Sequence, residues 1–426
     1  MSQSTGRPGA DALKWTASDY SRVPYAVYVD QEVFQREQER IFRGPTWSYL
    51  GLEAELPEPG SFITSYVGDT PVIVVRNNEG AIRAFVNRCA HRGATVCRER
   101  QGTTKVLRCI YHQWSYTLDG ELVGVPYIRG IKGAGGMPPE FDRGNFGLQP
   151  LRVESYKGVV FGSFSAEVSG LAEFLDAPLC KYLDRLFAKP VKILGYARQV
   201  VPANWKLYCE NTKDPYHAAL LHLFHATFGM YRSTQVGGVD LDKTGMHSAI
   251  HARIGTDDRE GLTEAFSETR FSDLASDEKK TKLRDPSVLA GRKEFEDGIS
   301  TLILQLFPSV VVQQITNTLA TRKIIPRAVD EFELLWTYFG YADDDAEMDK
   351  MRLKQANLIG PAGYISMEDG EATRMVQENA SHALEQQAVL EMDGAGDIAS
   401  VEHLVTETSI RGMWQHYCHL MDYKVA

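Results

Sequence analysis

The spacing of apolar and polar positions changes character along this chain. From Tyr28 to Phe42 the run YVDQEVFQREQERIF has the three-to-four-residue spacing of an amphipathic helix, and Gly44-Pro45 ends it. From Trp47 the period shortens towards two. Residues 61–67, 71–76 and 81–87 read as short strands, with Asn77-Asn-Glu-Gly80 as a hairpin turn before the last of them. The same β character continues through Gly158-Val-Val-Phe-Gly-Ser-Phe164. After about Ser165 the pattern changes again. Strand-like runs return at 301–306, 310–314, 319–325 and 331–341, while helical spacing occupies 345–358, 368–390 and 400–423. Successive strands with helices before and after them predict an α+β arrangement, an antiparallel sheet wrapped around a helix.

These shifts suggest an N-terminal arm and helix over 1–45, a small β domain over 46–165 and a larger domain over 166–426. The length of 426 residues agrees with more than one core. Residues 1–20 read as a mobile arm, and the Asp-, Glu-, Lys- and Ser-rich stretch 255–287 as an excursion or lid. A formal charge of −10 without a long basic cluster argues against a nucleic-acid partner. No apolar run is long enough to span a bilayer, and the polar N-terminus lacks the core of a secretory signal, so a cytoplasmic location is expected. In that reducing setting six cysteines read as metal ligands or buried thiols, not as a disulfide framework. Gly133-Ala-Gly135-Gly136 and Gly394-Ala-Gly396 sit in no strand–turn–helix pattern. A nicotinamide or flavin site is therefore not expected, and reducing equivalents would come from a separate protein.

Within the β region, Cys89-Ala-His91 is followed after seventeen residues by Cys109-Ile-Tyr-His112. Two such pairs can hold a zinc ion or an iron–sulfur cluster. Structural zinc sites usually leave two to four residues between paired ligands, whereas Cys89 and His91 have one between them. Two cysteines with two histidines suit a Rieske [2Fe–2S] centre, thiolates on one iron and imidazoles on the other. Cys97 and Cys180 lack a partner at ligand spacing and read as buried thiols. The run CAHRG…CIYHQWSY is similar to the cluster loops of Rieske proteins, in particular those of ring-hydroxylating oxygenases.

The larger domain contains Glu210-Asn-Thr-Lys-Asp-Pro-Tyr-His-Ala-Ala-Leu-Leu-His222. Histidines five apart turn about 140° on an undistorted helix, so His217 and His222 share a face only if the helix bends or ends between them. A metal can hold such a distortion; two hydrogen-bonded core histidines are the alternative reading. Asp214-Pro215 has the form of an N-cap followed by proline at the first helical position. Two histidines and a carboxylate on one face of Fe(II) leave three positions open.

The pattern ENxxDxYHxxxxH resembles the mononuclear-iron motif of Rieske oxygenase large (α) subunits. That resemblance extends from about residue 21 to 417. WSYLGLEAELPEPGSF, GGMPPEFD, NWKLYCEN, RLKQANLIGPAGYISMEDG and TETSIRGMW carry it, and they look most like the large subunits acting on salicylate, terephthalate and anthranilate. It implies a Rieske domain followed by a helix-grip catalytic domain. It also implies His217, His222 and Asp369 as iron ligands, with Glu368 and Glu371 as local competitors for the last role. Asp214 would be the bridging aspartate and Asn211 an asparagine near the iron, with Cys209, Glu210 and His225 supporting. Arg322, Arg411 and His251 are the candidates for binding substrate, the arginines because a guanidinium can clamp a carboxylate through two parallel bonds. The implied activity is hydroxylation of an aromatic carboxylate with O₂. A ferredoxin or reductase would be the donor, and a small β subunit would complete α₃β₃, or α₃ without it. A Rieske demethylase and a pure Rieske electron carrier are the alternatives; the carrier would need neither the His217/His222 pair nor Asp369.

Overall fold

The computed structural model describes residues 13, 15–222, 224, 230–231, 235–253, 285–394 and 397–425. His225, most of the expected N-terminal arm and nearly all of the expected lid lie outside the described residues. The chain divides into two compact units: residues 38–174, and residues 1–37 together with 175–426.

The chain enters through β1 (Arg22–Pro24), α1 (Ala26–Val29) and α2 (Gln31–Glu37), where the hydrophobic pattern suggested one helix from 28 to 42. Asp30 explains the break. Its Oδ1 accepts from the backbone N–H groups of Glu32 and Val33, which caps α2 and halts α1. Residues Gln38–Phe42 then continue with wider π-type turns.

The unit of residues 38–174 is built from short antiparallel strands. β2 (Ser48–Leu52), β3 (Ser61–Val67), β4 (Thr70–Arg76), β5 (Ile82–Val86) and β6 (Gln101–Thr103) come first. β7 (Leu107–Arg108), β8 (Ser115–Tyr116), β9 (Leu122–Gly124), β10 (Arg152–Tyr156) and β11 (Val159–Ser163) follow. They form three sheets: β5-β4-β3-β6, β7-β8-β9 and β10-β11-β2. Between the first two lies a core of Ile73, Val75, Phe85, Leu107 and Trp114 that also buries Cys89, Cys97 and Cys109. α3 (Leu171–Leu175) carries the chain out of this unit.

Besides β1, α1 and α2, the described residues of the larger unit form a seven-stranded sheet, a strand that pairs with β1, and helices. Its elements are α4 (Ala177–Leu186), β12 (Val191–Val201), α5 (Trp205–Asn211), α6 (Ala218–Leu221), β13 (Gly237–Leu241), β14 (Ser248–Arg253) and β15 (Ile299–Leu306). β16 (Val310–Ile315), β17 (Thr318–Ala328), β18 (Glu331–Tyr341), α7 (Ala346–Ile359), α8 (Tyr364–Ala380), β19 (Gln387–Val389) and α9 (Thr408–Met421) complete it. The order β12-β18-β17-β16-β15-β14-β13 is antiparallel throughout, the helix-grip form of an α+β fold. α5 packs on β17 and on α8. α8 ends at Ala380, well short of the helix expected to 390, because residues 387–389 pair with β1. That partner lies more than 360 residues away, beyond any local periodicity.

A buried carboxylate ties α2 to this unit. Glu37 Oε1 accepts from Lys206 Nζ at 2.6 Å and from Tyr417 OH at 2.6 Å, and its Oε2 accepts from Trp205 Nε1 at 2.8 Å. Trp205 and Lys206 open α5, whose other end carries Asn211, so the cluster anchors the helix leading to the metal-type residues.

Candidate functional site

In the unit of residues 38–174, Cys89 and Cys109 begin two loops of the same design. Each cysteine N–H donates to the carbonyl five residues on, Ala94 at 2.8 Å and Trp114 at 2.9 Å. Each cysteine carbonyl accepts from the N–H four residues on, Gly93 and Gln113, and both of those residues have positive φ, +76° and +59°. Such a turn suits glycine and strains glutamine. Cys89 and Cys109 are buried, and burial raises the Cys109 thiol, helped by the neighbouring Cys89. Tyr116 OH lies 3.1 Å from Cys89 Sγ and accepts from Ala90 N–H at 3.1 Å. The His91 and His112 rings meet edge to face at 4.5 Å, and His91 stacks on Trp114 at 4.7 Å. His91 Nδ1 is buried without a hydrogen-bond partner. Two packed thiols and two adjoining imidazoles, one with an orphaned nitrogen, fit a cluster that takes sulfur at one end and nitrogen at the other.

In the larger unit, His217 and His222 flank the single helical turn of α6. His222 already has φ −87° and ψ 76°, so the helix stops there and the 140° separation no longer applies. The rings lie 5.3 Å apart at 74°. Asp369, on the first half of α8, brings Oδ1 to 3.5 Å from His217 Nε2 and 3.3 Å from His222 Nε2. One donor atom from each of the three lies within 4.8 Å of the others. Bonds of about 2.1 Å from a first-row ion, meeting at right angles, would set donors about 3 Å apart. The residues therefore fit a facial two-histidine, one-carboxylate site able to bind mononuclear iron.

Hydrogen bonds around this triad are directional. Asn211 Nδ2 donates to Asp369 Oδ1 at 3.0 Å. Asp214 Oδ1 accepts from the N–H groups of Tyr216 and His217, and its Oδ2 lies 3.2 Å from His217 Nδ1. Burial alone would raise the Asp369 carboxyl, but the adjoining His217 and His222 imidazoles outweigh it and hold the group well below the usual carboxylate range. Burial likewise acts to lower His217, yet Asp214 and Asp369 overcome it and push the imidazole up to about 10. Such a site attracts positive charge.

A cavity opens beside the triad, lined by His217, His222, Asp369, Ile250, Ile303, Ile315, Ile365 and Arg322 among others. Strand register explains the choice. Ile250 pairs with Ile303, and Arg322 sits between Val311 and Trp336, so these side chains share one sheet face. Arg322 is 4% exposed. It donates from Nε to Gln313 Oε1 at 2.5 Å and from Nη1 to Tyr208 OH at 2.9 Å, and it lies over the Trp336 ring.

His251 and Arg411 are not brought to this cavity. His251 follows Ile250 on β14 and so points to the other face, towards Tyr182. Arg411, 1% exposed near the start of α9, donates to the backbone carbonyls of Leu390 and Met392. Glu371 is exposed and paired with Arg374, whereas Glu368 accepts from His222. Glu210 accepts from Tyr28 OH and Trp414 Nε1, and burial raises its carboxyl to about 7 against those bonds. Tyr208, Gln313 and Trp336, which surround Arg322, had no signal in the linear pattern; strand register and helix packing assemble them.

Residues 46–135 match the Rieske [2Fe-2S] domain family, and residues 181–422 match the catalytic domain of the ring-hydroxylating alpha subunit. The second match alone spans more than half of the chain. The chain belongs to the ring-hydroxylating Rieske oxygenase large subunits. Within that family it is 46% identical to the anthranilate 1,2-dioxygenase large subunit of Burkholderia cepacia, over 98% of this chain and 97% of that one. It is 45% identical to alpha subunit 2 of the terephthalate 1,2-dioxygenase terminal oxygenase component of Comamonas sp, over 95% and 96%. The Rhodococcus naphthalene 1,2-dioxygenase structure with bound indole superposes with a TM-score of 0.77 at 24% identity, covering 95% of each chain, and shares the fold. A Rieske oxygenase of this family is an oxidoreductase with a [2Fe–2S] domain and a mononuclear-iron domain. No described helix is long and apolar enough to cross a membrane.

Proposed function

We propose that this oxygenase hydroxylates the ring of an aromatic carboxylate and that Arg322 holds the carboxylate. The observation that carries this reading is an excess of donors. Arg322 lies in a buried, mostly apolar cavity, and among the described residues its partners are neutral: Gln313 and Tyr208. Gln313 spends its oxygen on Arg322, so its Nε2 is buried without an acceptor, as is Trp336 Nε1. A buried cation beside unpaired donors is costly unless an anion arrives, and a carboxylate offers two oxygens to a guanidinium fork. The names of the anthranilate and terephthalate relatives agree with that chemistry.

In this reading Cys89 and Cys109 bind one iron of the cluster and His91 and His112 the other, while His217, His222 and Asp369 hold Fe(II). When bound, the cluster supplies electrons singly and the ferrous ion supplies the centre for O₂ activation. Ile250, Ile303 and Ile315 bury the ring and exclude water, and Arg322 fixes which edge of the ring faces the triad. Asn211 keeps Asp369 oriented by donating to Oδ1. Asp214 caps the turn before His217 and acts as the bridge for electrons from a neighbouring α subunit. The proposed assembly is α₃β₃, or α₃ without β, fed by a reductase with or without a ferredoxin.

The test is aerobic turnover of salicylate, anthranilate and terephthalate with NADH and a surrogate reductase, with products identified. Hydroxylated acid is expected from at least one. Conversion of none of these acids, by an enzyme whose cluster is reducible and whose iron site is filled, would overturn the substrate class.

A further inference from the structure

One helix holds His222 from both sides, through two consecutive residues of α8. Asp369 Oδ1 lies 3.3 Å from His222 Nε2, and Glu368 Oε2 lies 2.8 Å from His222 Nδ1. An ionised carboxylate only accepts, so Nδ1 carries the hydrogen and donates it to Glu368. That leaves the Nε2 lone pair directed towards the point where Asp369 and His217 Nε2 converge, the geometry a metal ligand needs.

The two histidines of the triad are supported differently. Behind His217 stands Asp214, three residues earlier in the same loop, its Oδ1 already accepting two backbone N–H groups. His222 instead stands where α6 has run out, at φ −87° and ψ 76°, so helical packing does not set its ring plane. Its carboxylate partner comes from a helix 146 residues away in sequence. We infer that Glu368 is a positioning residue that fixes the tautomer and ring plane of His222 and so preorganises the metal site. Because Glu368 and Asp369 share a helix, any shift of α8 moves both contacts together, and the imidazole follows the carboxylate it must meet. The side chain of Glu368 is 29% exposed while that of His222 is 4% exposed, so the contact closes the solvent side of the ring.

The inference rests on His217, His222 and Asp369 holding iron, and not on which acid is the substrate. Its test is Fe(II) affinity, measured anaerobically on the full cluster-containing chain by competition with a coloured chelator, together with the absorption bands of the Co(II)-substituted site. Carboxylates behind metal-bound histidines are worth about 10–100-fold in affinity. Glu368→Ala should weaken Fe(II) binding by about that factor and alter the Co(II) bands. Glu368→Gln, whose amide oxygen still accepts from Nδ1, should fall between Ala and wild type, and Glu378→Gln on the exposed side of α8 should match wild type. Intact Rieske absorption and helix content exclude misfolding as the cause. If wild type binds one such ion and both Glu368 variants bind it equally well with unchanged Co(II) bands, the positioning role is refuted. If wild type and His222→Ala are alike in binding none, the iron-site reading itself fails, a different result.

Discussion

Replacing Arg322 with methionine separates binding of the substrate from stability of the fold. The guanidinium offers a carboxylate two charge-assisted hydrogen bonds, each worth about 1.5–3 kcal/mol. Losing both costs about 3–6 kcal/mol in kcat/KM, or about 10²–10⁴-fold at 1.4 kcal/mol per decade. Stability should move little, because two effects oppose. Methionine removes a buried, uncompensated charge, but it leaves Gln313 Oε1 and Tyr208 OH short of a partner, at about 1–3 kcal/mol for each buried group. The net shift in unfolding free energy without substrate should stay within about 2 kcal/mol. Arg322→Lys keeps the charge without the fork and should lose less, about 10–100-fold. The assay is initial-rate kinetics on the best acid from the turnover panel, with product measured against O₂ uptake, plus thermal unfolding with and without the acid. Wild type should gain stability from the acid and Arg322→Met should not. A methionine variant within threefold of wild-type kcat/KM would refute the carboxylate seat.

Asp214→Asn keeps an oxygen for the backbone caps but removes the charge; with Fe(II) saturating, both metals should stay bound while kcat falls at least about 100-fold. Normal turnover by that variant, with metal analysis confirming full occupancy, would eliminate the bridge. Lys206→Met should destabilise the larger unit by about 3–5 kcal/mol, since Glu37 would stay buried without its cation; a loss below 1 kcal/mol in denaturant unfolding contradicts the anchoring role of this cluster. Glu210, raised to about 7 by burial and held by Tyr28 and Trp414 with Lys206 and Glu407 nearby, binds its proton more tightly folded than unfolded. Its contribution to stability is therefore full below about pH 4.5 and is lost as pH rises through 7, a change of about 3 kcal/mol. Glu210→Gln should flatten the fall in stability between pH 5 and 7.5; an unchanged slope in unfolding free energy against pH refutes the assignment. Chelation of the mononuclear iron should abolish turnover while leaving the Rieske absorption intact, with activity restored by Fe(II) and not by Zn(II), which has no redox chemistry.

Local spacing pointed to the proposed cluster site, because Cys89 with His91 and Cys109 with His112 lie within two loops and each loop closes by backbone bonds four or five residues long. It also carried His217 and His222, whose awkward separation pointed to a helix that ends, as α6 does at His222. Runs of apolar and β-branched residues located β3, β4, β5, β11 and β15 to β18, but not β12, β13 or β14, the last of which carries Ile250 and His251. Asp369 came from resemblance to a family and not from spacing, for nothing near His222 in sequence signals a carboxylate on α8. The same limit hid the contrast between Glu368 and Glu371. Glu368 and Glu371 are three apart, only about 60° round the helix, so the helical period does not separate them and packing alone determines which meets an imidazole. His251 lies outside the cavity because one step along a strand reverses the face. The amino-acid order thus determined several of the strands and helices, the two loops that begin at Cys89 and Cys109, and the helix end at His222, all set by interactions across a few residues. Tertiary structure alone decided the seat of Arg322 among Gln313, Tyr208 and Trp336, the capture of His222 by α8 and the anchoring of α2 at Glu37, since each joins residues brought together only by burial.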